Sequence, residues 1–250
     1  MNRRDWVASG LGSALVLALL FAVPPGSDAQ SGGATSPAKP AAAKSKAASS
    51  AAAAKSSPIP APPQLISVGP VTDVDPHKAF GSKSAPVIME VFSDFQCPAC
   101  KSLYLGTNRQ VMENYVSSGK VYLIHRDFPL QMHANSRVAA SYARAAALIG
   151  KVEPVEQALF QNQEKWEATG DVDGTVAAVL SPAEMKKVRD LVKSGTLESA
   201  IEKDLALGRM HVVSSTPTME FYANGQNYPY AGQISYEFLK QFLDQLLAQK

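Results

Sequence analysis

The spacing of apolar positions changes several times along the chain, and each change predicts an element. A nearly continuous apolar run over 87–92, interrupted by Glu90, is typical of a strand covered on both faces. A helix is predicted over 101–118, with Gly119 as its C-cap. A second apolar strand follows over 120–126, and a right-handed crossover through the helix would make the two strands parallel.

A mostly helical middle follows this first unit. One of its helices has a clear start, because Ser181 is a preferred N-cap residue and Pro182 suits the first helical position. The helices are predicted at 136–149, 154–166, 182–194 and 197–208. Together they form a helical insertion over about 131–210.

The chain closes with a hairpin and a helix. Two short strands, 218–222 and 226–230, flank Asn224-Gly225, a strong hairpin-turn signal. The helix over 236–249 is amphipathic. Its predicted apolar face consists of Phe238, Leu239, Phe242 and Leu246.

The order of these elements predicts an α/β fold in which a β-α-β unit and a β-β-α unit form one mixed sheet flanked by helices. Upstream, 65–71 is a weak candidate strand and 79–84 is interpreted as a loop. No internal repeat is visible. The domain is predicted to span 65–250, which is long enough to bury a sizeable core.

The amino terminus predicts export. Residues 1–29 combine a basic start, an apolar stretch at 6–23 and small residues before a possible cleavage site after Ala29. They are expected to be a signal peptide or a retained membrane anchor. Residues 30–64 are rich in Ala, Ser, Pro and Lys, and we expect them to form a disordered linker. Either N-terminal alternative places the domain outside the cytoplasm, in the periplasm or the cell-envelope exterior.

Overall charge argues against one class of partner. The net charge is +2, and no basic stripe with interleaved aromatic residues is present, so nucleic acid is not expected to bind. The four histidines show no metal-ligand spacing, and none is assigned a catalytic role. They are His77, His125, His133 and His211. Neither a metal nor another cofactor is predicted.

The two cysteines of the chain form the motif Cys97-Pro98-Ala99-Cys100, between the first predicted strand and its helix. A structural disulfide across two residues would stabilise little, because the loop it closes is short. A redox pair therefore explains the spacing better. The helix N-terminus favours a thiolate at Cys97, which predicts Cys97 as the nucleophile and Cys100 as the more buried resolving thiol.

Four segments together resemble the DsbA-like thioredoxin-fold oxidoreductases. They are 92–100 with the cysteine motif, 126–130, 133–135 and 215–218. The resemblance covers about 81–250 and implies a thioredoxin-like fold with a helical insertion.

The resemblance also implies further features of the site and its partners. It implies a cis Thr216–Pro217 peptide bond beside the cysteines, with the Thr216 backbone free to pair with an extended substrate chain. Substrates would be cysteine-containing exported proteins. A membrane redox partner, either a quinone-linked reoxidant or an electron donor, would renew the pair. A monomer is expected, because the chain lacks a separate dimerisation domain.

One position departs from the family pattern. Many members carry a proton-carrying acid six residues before the first cysteine, where this chain has Val91. Glu90 would point to the opposite face of the strand, and Asp94 is a weaker alternative whose simpler interpretation is a turn or capping residue. Neither is assigned as a catalytic base.

The direction of electron flow stays open at this point. Pro98 resembles the oxidising members, whereas Thr216 is found more among isomerase-like or reductase-like relatives, so a dithiol oxidase is only slightly favoured. A disulfide reductase or isomerase is the alternative within the fold. A non-catalytic module that binds a peptide or a metal, with an inert cysteine pair, is the alternative from another class.

Overall fold

The computed structural model of the chain describes residue 71 and residues 73–249. The predicted signal or anchor at 1–29, the linker at 30–64 and all but the last residue of the candidate strand at 65–71 lie outside the described residues. Within the described part, no helix has both the length and the apolar character needed to cross a bilayer.

A five-stranded mixed sheet forms the centre of the fold, in the order β1-β3-β2-β4-β5. Its strands are β1 (Ala79–Phe80), β2 (Val87–Ser93), β3 (Val121–Asp127), β4 (Thr218–Ala223) and β5 (Gln226–Ala231). Strands β2 and β3 are parallel, and the other neighbours are antiparallel. The predicted β-α-β unit and hairpin are therefore confirmed. The interpretation of 79–84 as a loop is wrong at its start, because Ala79 and Phe80 pair with β3.

Nine α-helical segments flank this sheet within the described residues. They are α1 (Pro98–Ser102), α2 (Arg109–Val111), α3 (Ser136–Leu148), α4 (Val152–Gln161), α5 (Gln163–Thr169), α6 (Val172–Ala177), α7 (Pro182–Lys193), α8 (Glu198–Met210) and α9 (Tyr236–Ala248). The π-helical turn Leu103–Asn108 joins α1 to α2, and a second one, Met112–Val116, continues α2, so that 98–116 forms one helical segment. A short 3₁₀ helix, Pro76–Lys78, precedes β1.

Three details of the helical prediction need correction. The helix predicted at 154–166 is two helices that meet at Asn162. Helix α6 was not predicted; the side chain of Asp171 caps it by accepting from the Gly174 amide. In α9, Phe238 is 57% exposed, so the buried face consists of Leu239, Leu243 and Leu246 instead.

The core has two main parts on the two sides of the sheet. One contains α9 residues together with β2 and β4 residues such as Met89 and Phe221. The other contains the helical insertion, and both cysteines belong to it together with Phe160 and Trp166. The cysteine motif therefore lies where the insertion packs against the end of β2.

Candidate active site

The cysteine pair begins the first helix. Cys97 is the N-cap residue of α1 in an extended conformation, and Pro98 follows in the first turn, where its missing N–H leaves no hydrogen bond unmade. Cys97 is 7% exposed and Cys100 is 1% exposed. Both are free thiols, so the structure represents the reduced state of the pair.

The two thiols have opposite electrostatic environments. The hydrogen bond from the Cys100 side chain is the largest of the contributions that lower the pKa of Cys97, and the pKa falls to about 5. Thr216 and the amides of Ala99 and Cys100 add to this effect, which outweighs the cost of burial. Burial, reinforced by the neighbouring Cys97 thiolate, raises the pKa of Cys100. Near neutral pH the pair therefore holds one thiolate, at Cys97, and one thiol, at Cys100.

The loop before β4 completes this environment. The Thr216–Pro217 peptide bond is cis, and the carbonyl oxygen of Thr216 lies 3.2 Å from the Cys97 sulfur. The sheet explains this contact, because Thr218 at the start of β4 pairs with Phe92 near the end of β2. The loop that leaves β2 and the loop that enters β4 must therefore lie side by side.

Gln163, at the start of α5, anchors the loop from the side of the helical insertion. Its fully buried side-chain amide donates to the carbonyl oxygens of Phe95 at 2.6 Å and Cys97 at 3.1 Å. The Cys97 carbonyl oxygen also accepts from the Lys101 amide of α1 at 3.1 Å. The sequence offered no signal for this residue, since it lies 66 positions from Cys97.

Asp94 organises the loop rather than serving the thiols. Its carboxylate accepts hydrogen bonds from the Gln96 and Leu130 amides, each at 2.7 Å, and from the Ser136 hydroxyl at 2.6 Å. The His133 ring nitrogen lies 2.8 Å away. These contacts support the interpretation of Asp94 as a turn or capping residue. Its backbone meets the pair: the amide donates to the Cys100 sulfur at 3.5 Å, and the carbonyl oxygen accepts from the Cys97 amide at 3.1 Å.

Glu90 does not face the cysteines either. It is buried and forms an ion pair with Arg126 at 2.6 Å on the neighbouring strand β3. No bulge turns it toward the pair, since the β2–β3 pairing is unbroken from Val87 to Ser93. The family's acidic position beneath the disulfide is therefore not filled by Glu90.

Charged groups from three other elements take up the space behind Cys100. Lys78 lies 2.5 Å from Asp127 and 3.5 Å from Glu156, and His125 lies 2.7 Å from the second oxygen of Glu156. All of them line a small cavity that Cys100 also lines, with a volume of about 20 Å³, room for one water molecule. Burial by itself would raise the pKa of Glu156, but His125 and Lys78 outweigh it and hold that pKa below its ordinary value.

An outer cavity connects this cluster with the surface side of the helical segment. It has a volume of about 280 Å³ and shares Tyr104, Asn108 and His125 with the small cavity. His125 therefore lies between the two spaces. The arrangement places the ionisable groups His125 and Glu156 in the same small cavity as Cys100. The sequence-based prediction assigned no role to His125, because a histidine inside an apolar strand has no neighbours in sequence that indicate one.

Comparison with known proteins identifies what this chain resembles. A family model described as Thioredoxin matches residues 73–245. The "Probable disulfide bond formation protein D" of Bacillus cereus is 25% identical over 155 residues, covering 60% of this chain and 70% of the relative.

Solved structures show the same fold at low identity. The oxidised BdbD of Bacillus subtilis is 19% identical with a TM-score of 0.55, covering 68% of this chain and 92% of that one. The α-DsbA1 of Wolbachia pipientis is 17% identical with a TM-score of 0.57, covering 68% of this chain and 89% of that one. The thioredoxin-like fold predicted from the sequence is thus confirmed.

Proposed function

The chain belongs to the thioredoxin family, in its DsbA-like group of thiol–disulfide oxidoreductases, and we propose that it is an exported dithiol oxidase. Its site is Cys97-Pro98-Ala99-Cys100 with the Thr216–Pro217 loop beside it. Its substrates are cysteine-containing proteins outside the cytoplasm.

The unequal pKa values of the two thiols carry this proposal. A pKa of about 5 at Cys97 means that the reduced pair is stabilised as a thiolate at neutral pH. A pair whose reduced form is stabilised has a disulfide that accepts electrons readily, and such a pair oxidises other dithiols. This observation favours the oxidase over the reductase or isomerase alternative.

The reaction begins with the closed Cys97–Cys100 disulfide. A substrate thiolate attacks the Cys97 sulfur, the Cys97–Cys100 bond breaks, and Cys100 leaves and takes up one proton. The second substrate thiolate then attacks the substrate sulfur of the mixed disulfide. The substrate disulfide forms, and Cys97 leaves as a thiolate. Two electrons pass from the substrate to the pair. Of the two protons that leave the substrate thiols, one is balanced by the proton on Cys100 and the other passes to solvent, because Cys97 stays a thiolate.

Both leaving steps suit the environments of the two cysteines. A thiol with a low pKa is a good leaving group, which favours release of the substrate disulfide from Cys97. Cys100 has a raised pKa and needs a proton as it leaves. The cavity lined by His125 and Glu156 supports proton delivery there through one water molecule.

Substrate binding and reoxidation need further groups. The backbone of Thr216 lies beside the Cys97 sulfur, which supports pairing with an extended substrate chain as an added strand. A membrane partner, such as a quinone-linked reoxidant, would accept the two electrons and close the disulfide again. Residues 1–29 would direct the domain across the membrane, with 30–64 as the linker.

The reduction potential of the Cys97–Cys100 pair, measured in glutathione buffers, tests the proposal. An oxidase requires a value near about −120 mV, and a value near about −270 mV would replace the proposal with a reductase. A pair that does not exchange with glutathione would favour the non-catalytic binding module. The double variant Cys97→Ser/Cys100→Ser provides the baseline without a redox-active pair.

A further inference from the structure

A second cluster of ionisable side chains lies on β2 and β4, apart from the redox pair. Glu90 and Glu220 stand directly opposite each other on these neighbouring strands, and they are 1% and 2% exposed. His211 follows the last residue of α8, and its Nδ1 lies 2.8 Å from Glu220 Oε2. The redox mechanism uses none of the three.

The charge of this cluster is not balanced by its described neighbours. Two carboxylates held together in the interior strongly disfavour double ionisation unless cations compensate for them. Arg126 is the guanidinium that meets Glu90, and it is shared with Asp204 at 3.2 Å. Within the described residues, Arg126 is the one lysine or arginine side chain that forms an ion pair with either glutamate.

The hydrogen bonds leave one carboxylate oxygen for another partner. Arg126 donates through two nitrogens to Oε1 of Glu90, at 2.8 and 2.6 Å. Oε2 of Glu90 is buried and has no hydrogen-bond partner. A buried carboxylate oxygen in that state is strongly destabilising unless something binds it.

The other side of the cluster contains donors and one more unpartnered oxygen. Glu220 Oε2 accepts from the Tyr222 hydroxyl at 2.5 Å and from the Asn227 amide at 3.2 Å. The amide oxygen of Asn227 is itself buried without a partner. Two unpartnered oxygens therefore accompany the carboxylate pair.

The geometry points to a divalent metal site formed by Glu90, His211 and Glu220, with zinc as the ion it fits best. The ligand atoms of the three lie within 4.8 Å of one another. Metal–ligand bonds of about 2.0–2.2 Å bring them to one ion after each side chain moves inward by a fraction of an ångström. One imidazole and two carboxylates with a free fourth position form a donor set that Zn²⁺ accepts.

The site would tie the end of the helical insertion to the centre of the sheet. Glu220 lies three residues after Pro217, and the His211 ring packs 6.1 Å from the ring of Phe92 in β2. A bound ion would therefore hold together the strands that lead into both active-site loops. It would stabilise the folded state in proportion to the logarithm of the free zinc concentration.

Zinc binding to the oxidised full chain tests this inference, because the closed disulfide removes the two thiolates as competing ligands. After treatment with a chelator, isothermal titration with Zn²⁺ should show one equivalent bound. A hundredfold excess of zinc over Kd should raise Tm by about 5–10 °C. Both effects should be lost in His211→Gln and in Glu220→Gln. His77→Gln is the matched control, since His77 pairs with Asp75 at 3.0 Å on the surface.

Co²⁺ used as a spectroscopic probe of the oxidised wild type makes the test independent of any variant. The expected spectrum is that of a four- or five-coordinate ion without the charge-transfer band that a cysteine ligand adds. Failure of the oxidised wild type to bind Zn²⁺, or binding that His211→Gln leaves unchanged, would overturn the inference.

Discussion

The side-chain amide of Gln163 donates to the carbonyl oxygen of Cys97 across 3.1 Å, so a residue of the helical insertion holds the first residue of the redox motif in place. The same amide also holds Phe95, two residues earlier in the loop. The helical insertion therefore covers the sheet and also holds the loop that carries Cys97.

Replacing Gln163 should destabilise the protein although it touches neither sulfur. Gln163→Leu removes the side-chain donor of the Phe95 carbonyl oxygen and leaves the Cys97 carbonyl oxygen with the Lys101 amide, and we expect the free energy of unfolding to fall by about 1–3 kcal/mol. Urea unfolding followed by circular dichroism measures the change. Gln161→Leu makes the same replacement at an exposed position nearby and should change stability by less than about 0.5 kcal/mol. Equal effects in the two variants would contradict this role of Gln163.

The reactivity of Cys97 should depend on Cys100. In the reduced wild type, alkylation by iodoacetamide should follow a titration with a midpoint near pH 5. Cys100→Ala removes the largest lowering contribution, so the midpoint should move to higher pH. Alkylation rates measured from about pH 3 to about pH 11, a range that brackets both the lowered midpoint and the ordinary thiol value of about 8.5, locate both midpoints. Unchanged midpoints would show that the helix N-terminus and Thr216 suffice.

The same pKa difference predicts how the stability of the two redox forms depends on pH. The pKa of Cys97 is lower in the folded protein than in an unfolded chain, so its thiolate stabilises the folded reduced form, fully so near about pH 9; above that pH the raised pKa of Cys100 acts in the opposite direction. This stabilisation should decrease as the pH falls from about 9 to about 5, and it should be absent below the folded pKa. The disulfide form has no thiol to titrate and provides the control. Denaturant unfolding of both forms across this range should show curves that diverge, and parallel curves would contradict the prediction.

Glu156 should affect the step in which Cys100 leaves. Glu156→Gln removes the carboxylate that orients His125 in the cavity behind Cys100. Reduction of the disulfide by dithiothreitol, followed by stopped flow, should slow by roughly 100-fold, the lower end of what general acid catalysis contributes. Alkylation of Cys97 in the reduced variant should keep its wild-type rate.

That second measurement separates proton delivery from a loss of structure. A structural defect would change both rates, whereas a defect in proton delivery changes only the first. Glu237→Gln removes an exposed glutamate from α9 and should leave both rates unchanged. A wild-type rate of disulfide reduction in Glu156→Gln would remove Glu156 from the proton path.

Gly208 allows α8 to pack closely against the centre of the fold. A Cβ at this position would lie 2.4 Å from the ring of Phe128 and 3.3 Å from that of Phe92. Gly208→Ala should therefore lower the free energy of unfolding by about 1–3 kcal/mol, because overpacking outweighs the better helix propensity of alanine. Gly106→Ala, in the first helical segment, meets nothing within 4 Å and should be neutral or stabilising. A stabilised Gly208→Ala variant in thermal unfolding would contradict this account.

Local patterns predicted most of the sheet and the redox pair. The apolar runs at 87–92 and 120–126 became β2 and β3, and Asn224-Gly225 became the turn of the β4–β5 hairpin with both residues at positive φ. These features depend on periodicity and on turn chemistry within a few residues. Strand β1 escaped prediction because two residues carry no measurable periodicity.

The groups behind Cys100 could not be found in this way. Lys78, His125 and Glu156 come from a 3₁₀ helix, a strand and the helical insertion, and no short motif connects them. The departure at Val91 did indicate that the usual acid was absent. Only the packing of α4 against the first helical segment shows that another carboxylate, that of Glu156, lines the cavity behind Cys100. The prediction that Phe238 lies on the buried face of α9 was wrong for a similar reason, since the spacing of apolar residues defines a helix face only to within about one residue.

The contact between Cys97 and Thr216 joins residues that are 119 positions apart. The site is therefore assembled from segments that are synthesised at different times. During synthesis, the cysteine motif leaves the ribosome before the segment that completes its surroundings. Until β4 has paired with β2, Cys97 lacks the share of its acidity that Thr216 provides. The newly made chain therefore carries a more ordinary thiol there. The full lowering of the Cys97 pKa is therefore acquired only once β4 has paired with β2.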